Sequence, residues 1–257
     1  MFANLFYVIK EAIKKSCFWE YKLKLQELFV KFVDVRHLKD GLIDYGFIMK
    51  SLDRNGQYYS QFGQDLFLDK FIFNKKKDGF YLDIGANHPT ILSNSKFFED
   101  NGWKGIAIEP QTQFNDIWAK RSAELINVAV GISEGEVTFA GYKSEDELGV
   151  MVGAVEALGK NASDKKFVVK QRRIDNILRE RGVKHVDFVS IDVEGYEMNA
   201  LQSINFDEVT FDCFVIENNK GVGGCASRNI RSFMKRKGYK LIARLNIDDV
   251  FVRKELL

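Results

Sequence analysis

The sequence predicts an α/β fold in which helices cover both faces of a mostly parallel sheet. Three observations predict it. From Gly56 onward, short apolar runs alternate with amphipathic stretches. The runs are nearly continuous in hydrophobicity, as strands buried on both faces require. The last two runs lie close together with a short polar turn between them, so they close the sheet as an antiparallel pair.

In order, "FYLDI" reads as the first strand and "SNSKFFEDN" as a helix, followed by "WKGIAIEP" as strand and "QFNDIWAKRS" as helix. "LINVAVG" is a third strand and "EVTFAGY" a hairpin arm. The polar, glycine-punctuated "KSEDELGVMVGAVEALGKNASDKK" then inserts near one end of the sheet. The alternation resumes with "IDNILRERG", "VDFVSID", "YEMNALQSI", "FDCFVIEN", "NIRSFMKRKG" and the closing pair "YKLIARLN" and "DDVFVRK". A mostly parallel, seven-stranded sheet with such an ending has the Rossmann-like outline of a class I methyltransferase. Phe97, Phe98, Trp103 and Trp118 are expected in the core.

Residues 1–55 read as a helical extension outside this domain, which spans residues 56–257. Phe2, Leu5, Phe6, Ile9 and Ile13 share one helical face, with Lys10, Lys14 and Lys15 largely off it. Two readings stand: a helix docked on the domain or on a second subunit, or a basic–aromatic helix at a membrane surface.

Composition narrows the function classes. With 46% hydrophobic and 29% charged residues among 257, a sizeable core can be buried. The net charge of +2 and the dispersed lysines argue against a nucleic-acid partner. Cys17, Cys213 and Cys225 lack paired or metal-type spacing, so reduced thiols are expected. No stretch reaches the ~20 apolar residues of a membrane span. "KEAIKKS" interrupts the apolar start, which leaves the cytoplasm as the default location.

Asp83, Glu109, Asp192 and Glu217 fall at strand ends, so they line one rim of the sheet, where open α/β sheets bind ligands. The loop after the first strand, "GANHP", has one glycine rather than G-x-G-x-x-G, and Pro89 removes an N–H that a pyrophosphate would use. A Walker loop is absent. S-adenosylmethionine carries no phosphate, and its cationic groups favour an acid such as Asp83 at the strand end. Gly85 lets backbone approach, and Glu109, one strand–helix–strand unit later, stands where an acid holds ribose hydroxyls.

"GFYLDIGANHPTILSNSKFFEDNGWKGIAIEP" together with "VDFVSIDVEGYEMNALQSINFD" and "FVIENN" resembles the FkbM family of S-adenosylmethionine-dependent methyltransferases. The resemblance runs from "YYSQFGQDLFLDKF" to "DDVFVRK", about four-fifths of the chain. It implies O-methylation of sugar hydroxyls in glycans, glycolipids or secondary metabolites. It places Asp83, Gly85 and Asn87 around the methionyl part, Glu109 on the ribose, and Asn127 and Ala129 near the adenine. Gln61, Gln64 and Asp65 of "QFGQD" fall in the segment that folds over the cofactor. Asp192 and Glu194 of "IDVEGYE" would stand beside the transferable methyl group. "IENN" departs from the family pattern, with Asn218 where histidine is expected.

Two chemical routes fit these residues. Asp192 or Glu194, with His88 as a further candidate, serves as general base. Alternatively Asp192, Glu217 and Asn218 hold Mg²⁺, which lowers the pKa of bound sugar hydroxyls. His88 has a second role open to it, fixing its own loop, while His37 and His185 read as structural or exposed. The glycine-rich "GVGGC" and the 140–170 insertion read as loops at the site mouth that select the acceptor. The implied partner is a carbohydrate or glycoconjugate acceptor, with a lipid or secondary metabolite as the alternative. A catalytically silent, cofactor-binding partner of a glycosyltransferase is the rival from another class. Exposed aromatics on the N-terminal helices would suit a homo-oligomer contact.

Overall fold

A computed structural model describes residues 56–142, 152–154, 162–218 and 226–257. The N-terminal extension with His37 and Cys17, the glycine-rich "GVGGC" with Cys225, and most of the 140–170 insertion lie outside the described residues. Among those described, no helix is long and apolar enough to cross a membrane.

The chain enters through α1 (Gln64–Phe67), continued by one π-helical turn over Leu68–Ile72. Then follow β1 (Phe80–Ile84), α2 (Lys96–Asp100), β2 (Lys104–Ile108), α3 (Asn115–Trp118) and β3 (Glu124–Ile126). Next come β4 (Ala129–Val130), β5 (Gly135–Tyr142), β6 (Val152–Ala154) and β7 (Ala162–Arg172). The second half holds α4 (Ile174–Glu180), β8 (His185–Ile191), α5 (Glu197–Gln202) and β9 (Thr210–Glu217), then α6 (Ala226–Arg236), β10 (Tyr239–Leu245) and β11 (Asp248–Arg253).

The central sheet has seven strands in the order β10-β11-β9-β8-β1-β2-β3. The five from β9 to β3 run parallel, and β11 lies antiparallel to both β9 and β10. The α/β class, the dominance of parallel pairing and the antiparallel ending are as the sequence predicts. Because β1 is followed by β2 on one side and flanked by β8 on the other, the winding reverses between β1 and β8. A crevice opens there at the carboxyl ends.

Side chains alternate between two buried layers. Leu82, Ile84, Val189, Ile191, Phe214 and Ile216 pack against Ile177, Leu178, Leu201, Ile230 and Met234 of α4, α5 and α6. Tyr81, Phe188, Cys213 and Val215 face the other way, onto Leu66, Phe67, Phe98 and Trp103. Each fully buried side chain of this size stabilises by about 1.5–3 kcal/mol, so both layers hold the sheet rigid. Phe98, Trp103 and Trp118 are buried as expected, and Phe97 packs at the edge.

The structure departs from the sequence reading in two places. "LINVAVG" is not one strand: β3 joins the main sheet, while β4 belongs to a second, four-stranded sheet ordered β4-β7-β5-β6. Its long strand β7 pairs antiparallel with β5 over most of its length, so the described flanks of the polar insertion form a hairpin. The residues of β7 do not alternate between apolar and polar, and the consecutive Lys166, Phe167 and Val168 are all exposed, so no period-2 pattern marked the strand. The helices α2 and α3 are also shorter than predicted, α2 because the segment before it forms the loop described next.

Candidate active site

At the winding reversal lies a cavity of about 600 Å³. The end of β1 and the loop after it form one wall, through Asp83, Gly85, Asn87, His88 and Ile91–Asn94. Glu109, Pro110 and Gln111 follow β2, and Val128, Ala129 and Val130 supply an apolar patch. On the other side stand Asp192, Val193, Glu194 and Tyr196 after β8, Glu217 at the end of β9, and Asp248 at the start of β11.

Gly85 is fixed by close approach. Its φ is +78°, and a Cβ there would overlap the carbonyl oxygen of Asp192. The Asp192 amide also donates to Ile84 O at 3.0 Å, so the loops after β1 and β8 are clamped together. Three non-glycine residues of the wall, Asn87, Leu92 and Glu194, adopt left-handed φ of 44–57°, a conformation costing roughly 1–2 kcal/mol per residue. Such strain gathers at sites that must present a set geometry.

Asp83 is 4% exposed and accepts a 2.5 Å hydrogen bond from Ser95 Oγ and another from Ser190. Burial raises its carboxyl, while those hydroxyls and the Arg121 charge pull it back. Glu109 accepts the N–H of Gln111 on Oε1 and of Asn87 on Oε2, each at 2.9 Å. Burial raises Glu109 as well. The Gln111 side chain donates a third hydrogen bond to it, which leaves one of its four acceptor positions for a hydroxyl.

At the far end, Glu217 is hydrogen-bonded to Asp192. Burial, Glu197, Glu194 and Asp248 push the Glu217 carboxyl up to about 8. Burial, Glu217, Glu194 and Asp248 raise Asp192 in the same way. The Asp192 side chain opens on the cavity, with Glu217, Glu194 and Asp248 as its charged neighbours. Asp248 is pushed by burial up to about 7 and accepts a hydrogen bond from Gln64 Nε2. A carboxyl pair of this kind shares a proton at neutral pH.

Residues 83–241 match the model of the methyltransferase FkbM domain. The chain belongs to the FkbM methyltransferase family. The resemblance read from "DIGAN" and "IDVEGYE" is therefore correct, and so is the methyltransferase class it implied. No curated protein matches the chain by sequence. Among solved structures, the "METTL16 MTase domain (crystal form 2)" aligns with 12% identity and a TM-score of 0.40. That alignment covers 74% of this chain and 65% of the other.

FkbM methyltransferases, like methyltransferases generally, draw the methyl group from S-adenosylmethionine, and the cavity suits it. The described lining carries six carboxyls, Asp83, Glu109, Asp192, Glu194, Glu217 and Asp248, and neither lysine nor arginine. That donor set favours a cation and repels a pyrophosphate. Asn87 Oδ1 and Asn94 Oδ1 are buried without a hydrogen-bond partner among the described residues, although both asparagines line the cavity. They are acceptors left for donors on a ligand.

Of the residues singled out in the sequence, Asp83, Gly85, Asn87, His88, Glu109, Ala129, Gln61, Gln64, Asp192, Glu194 and Glu217 line this one cavity. Three do not. Asp65 is fully buried and accepts the amides of Tyr59 (2.6 Å), Ser60 (3.1 Å) and Leu66 (2.8 Å), so it anchors the entering segment. Asn127 donates to the carbonyls of Glu109 (3.0 Å) and Gln111 (3.2 Å) and shapes the β2 loop from behind. Asn218 donates to Asp249 at 2.6 Å, where Arg231 and Arg244 also converge. Asp192, Glu217 and Asn218 therefore do not form one ligand set. Among the described residues, side chains at metal-ligand spacing are His185, Asp187 and Asp212. They sit toward the opposite end of β8 and β9, where Lys76 and Arg253 already pair with the acids.

His88 is also redirected. Its Nδ1 accepts the amides of Thr90 (3.2 Å) and Ile91 (3.0 Å), so the ring proton sits on Nε2 and the side chain fixes its loop. Burial lowers its pKa. The sequence reading missed Asp248, Asn94 and Phe139 of the wall. Asp248 was within reach, because the first residue of an antiparallel closing strand must lie at the same rim as the parallel strand ends.

Proposed function

We propose that this protein is an S-adenosylmethionine-dependent O-methyltransferase acting on a hydroxyl of a sugar in a glycan or glycoconjugate. The observation that carries the reading is the hydrogen-bonded Asp192–Glu217 pair facing the cavity. A sugar hydroxyl is a very weak acid, so its oxygen attacks only if a base takes the proton in the same step. A carboxyl pair holding one proton leaves an ionised oxygen of raised basicity, a stronger acceptor than an isolated surface carboxylate.

Bound S-adenosylmethionine would supply a methyl group activated by the sulfonium charge. Asp83 and Asn87 would hold its methionyl end, Glu109 its ribose, and Val128, Ala129 and Val130 the adenine. Gly85 keeps the floor open to backbone approach. Asp192 accepts the hydroxyl proton and Glu217 holds Asp192 in place, while Glu194 and Tyr196 offer hydrogen bonds to neighbouring sugar hydroxyls. The dispersal of Asn218 away from Asp192 favours this metal-free route over the Mg²⁺ route. The intact rim carboxyls weigh against a catalytically silent partner of a glycosyltransferase.

One observation favours a second acceptor class. Ile91 and Leu92 line the cavity and are 46% and 44% exposed, and apolar surface at a mouth suits a hydroxyl on a lipid or secondary metabolite.

Calorimetric titration with S-adenosylhomocysteine, with NAD as comparator and with and without Mg²⁺, tests the cofactor. Micromolar binding of the first and none of NAD supports the reading. A folded protein that binds neither would sink it. Radiolabelled methyl transfer to a glycan panel and a lipid-alcohol panel then separates the acceptor classes.

A further inference from the structure

Arg121 lies just after α3, is 9% exposed, and does not line the cavity. A buried guanidinium needs a partner for each donor. Nε donates to Glu99 at 3.1 Å, Nη1 to Pro89 O at 2.8 Å and Ser93 Oγ at 3.3 Å, and Nη2 to Tyr81 Oη at 3.0 Å and Ser95 Oγ at 3.1 Å. Its face stacks 4.5 Å from the Trp118 ring, whose Nε1 donates to Asn87 O at 2.8 Å. One side chain thus ties together β1, α2 and the loop that forms the cofactor wall.

The chain of contacts continues to the site. Ser95 Oγ accepts the hydrogen bond from Arg121 and donates its own to Asp83 Oδ2 at 2.5 Å. Ser95 stands at the N-cap of α2 without capping it. Ser93 takes the Lys96 amide instead, at 3.2 Å. A cap serine worth about 1 kcal/mol to its helix is here spent on the site carboxylate.

Resting on the assignment of the cavity to S-adenosylmethionine, we propose that Arg121 is a positioning residue for the cofactor. Through Ser95 it orients Asp83, and through Pro89 and Ser93 it holds the loop of residues 87–95 as the cavity wall. The charged and titratable groups facing Asp83 are Arg121, Glu109 and Tyr81, with Ser95 and Ser190 as hydroxyl donors. Arg121 is the cation among these described groups, and its charge, with the Ser95 hydroxyl, works against the burial that raises the Asp83 carboxyl.

The test is titration of the full chain with S-adenosylhomocysteine at pH 6, 7 and 8, beside melting temperatures, for wild type, Arg121→Lys, Arg121→Met and Ser95→Ala. Ser95→Ala, which spares the other Arg121 contacts, is expected to weaken binding about five- to thirty-fold with little change in melting. Arg121→Met is expected to weaken binding more at pH 6 than at pH 8, because Asp83 then takes up a proton, and Arg121→Lys to restore part of the loss. Should Arg121→Met fail to fold, Ser95→Ala still decides. Unchanged affinity and pH profile in Ser95→Ala, with wild type binding, overturns the proposal alone. No binding by wild type overturns it together with the cofactor assignment.

Discussion

Asp248 lies directly opposite Glu217 in the register of β11 and β9. The two strands run antiparallel, so the first residue of one meets the last residue of the other at the same rim. The parallel strand ends bring Asp83, Glu109, Asp192 and Glu217 to this edge, and the reversed strand adds another acid. Asp248 raises the pKa of both Asp192 and Glu217, Glu217 also raises Asp192, and burial raises Asp248 itself, so the cluster resists full ionisation.

Methyl transfer should therefore rise with pH as the pair loses its first proton, along a limb lifted above the ordinary carboxylate range by the burial and the charges around Asp192. Asp192→Asn removes the proton acceptor and should lower kcat about 10²- to 10⁴-fold. Glu217→Gln keeps a hydrogen bond to Asp192 but removes a negative neighbour. Its rate limb should move to lower pH, with kcat down roughly 10- to 100-fold from the weaker base. Both variants should keep S-adenosylhomocysteine affinity within about threefold of wild type. Initial-rate pH profiles beside calorimetry check this, and an unmoved limb in Glu217→Gln would remove the pair from the chemistry.

Stability should fall as pH rises. The folded protein holds Asp248 protonated up to about 7, from an ordinary 3.8, so between those values it binds a proton that the unfolded chain has lost. The folded state is then penalised progressively across that window, and fully above it. Asp248→Asn keeps an acceptor for Gln64 and removes the titration. It should stabilise the protein by roughly 1–3 kcal/mol at pH 8 and by almost nothing at pH 4.5. Melting curves at the two pH values decide; equal effects at both would mean that Asp248 is not held protonated.

Much of the site was legible because parallel strands mark their own rim. "YLDIG", "IAIEP", "SIDVEG" and "VIENN" each put an acid at the last apolar residue, and the fold brings those acids together whatever their separation. Three misreadings share a cause: Asp65, Asn127 and Asn218 are polar residues near a motif whose side chains satisfy backbone or charge from behind it. Sequence places a residue near a loop and not on its wet or dry side. β7 was missed because its apolar and polar residues do not alternate, and Arg121 because no motif marks a buried cation eleven residues after Pro110.

His88 stands in the cavity wall, yet its acceptor nitrogen is spent on the Thr90 and Ile91 amides. His88→Ala should loosen that turn and weaken S-adenosylhomocysteine binding about three- to tenfold. The pH limb of methyl transfer should stay where it is. Loss of the limb in this variant would make His88 the base and displace Asp192.

Gly85 joins the two halves of the site, and Gly85→Ala should break both at once. An added methyl meets the Asp192 carbonyl, which is backbone and cannot swing aside as a side chain would. The φ of +78° adds a cost of roughly 1–2 kcal/mol for any residue with a Cβ. The relief available is separation of the β1 and β8 loops, which breaks the hydrogen bond from the Asp192 amide to Ile84 O and carries Asp192 away from the cofactor wall. We expect a destabilisation of about 3 kcal/mol or more, and at temperatures where the variant stays folded at least a tenfold loss of S-adenosylhomocysteine affinity. Thermal melts and calorimetry on the same preparation separate the two effects. A Gly85→Ala protein that melts and binds like wild type would show that the loops can part freely, and the clamp between β1 and β8 would lose its role.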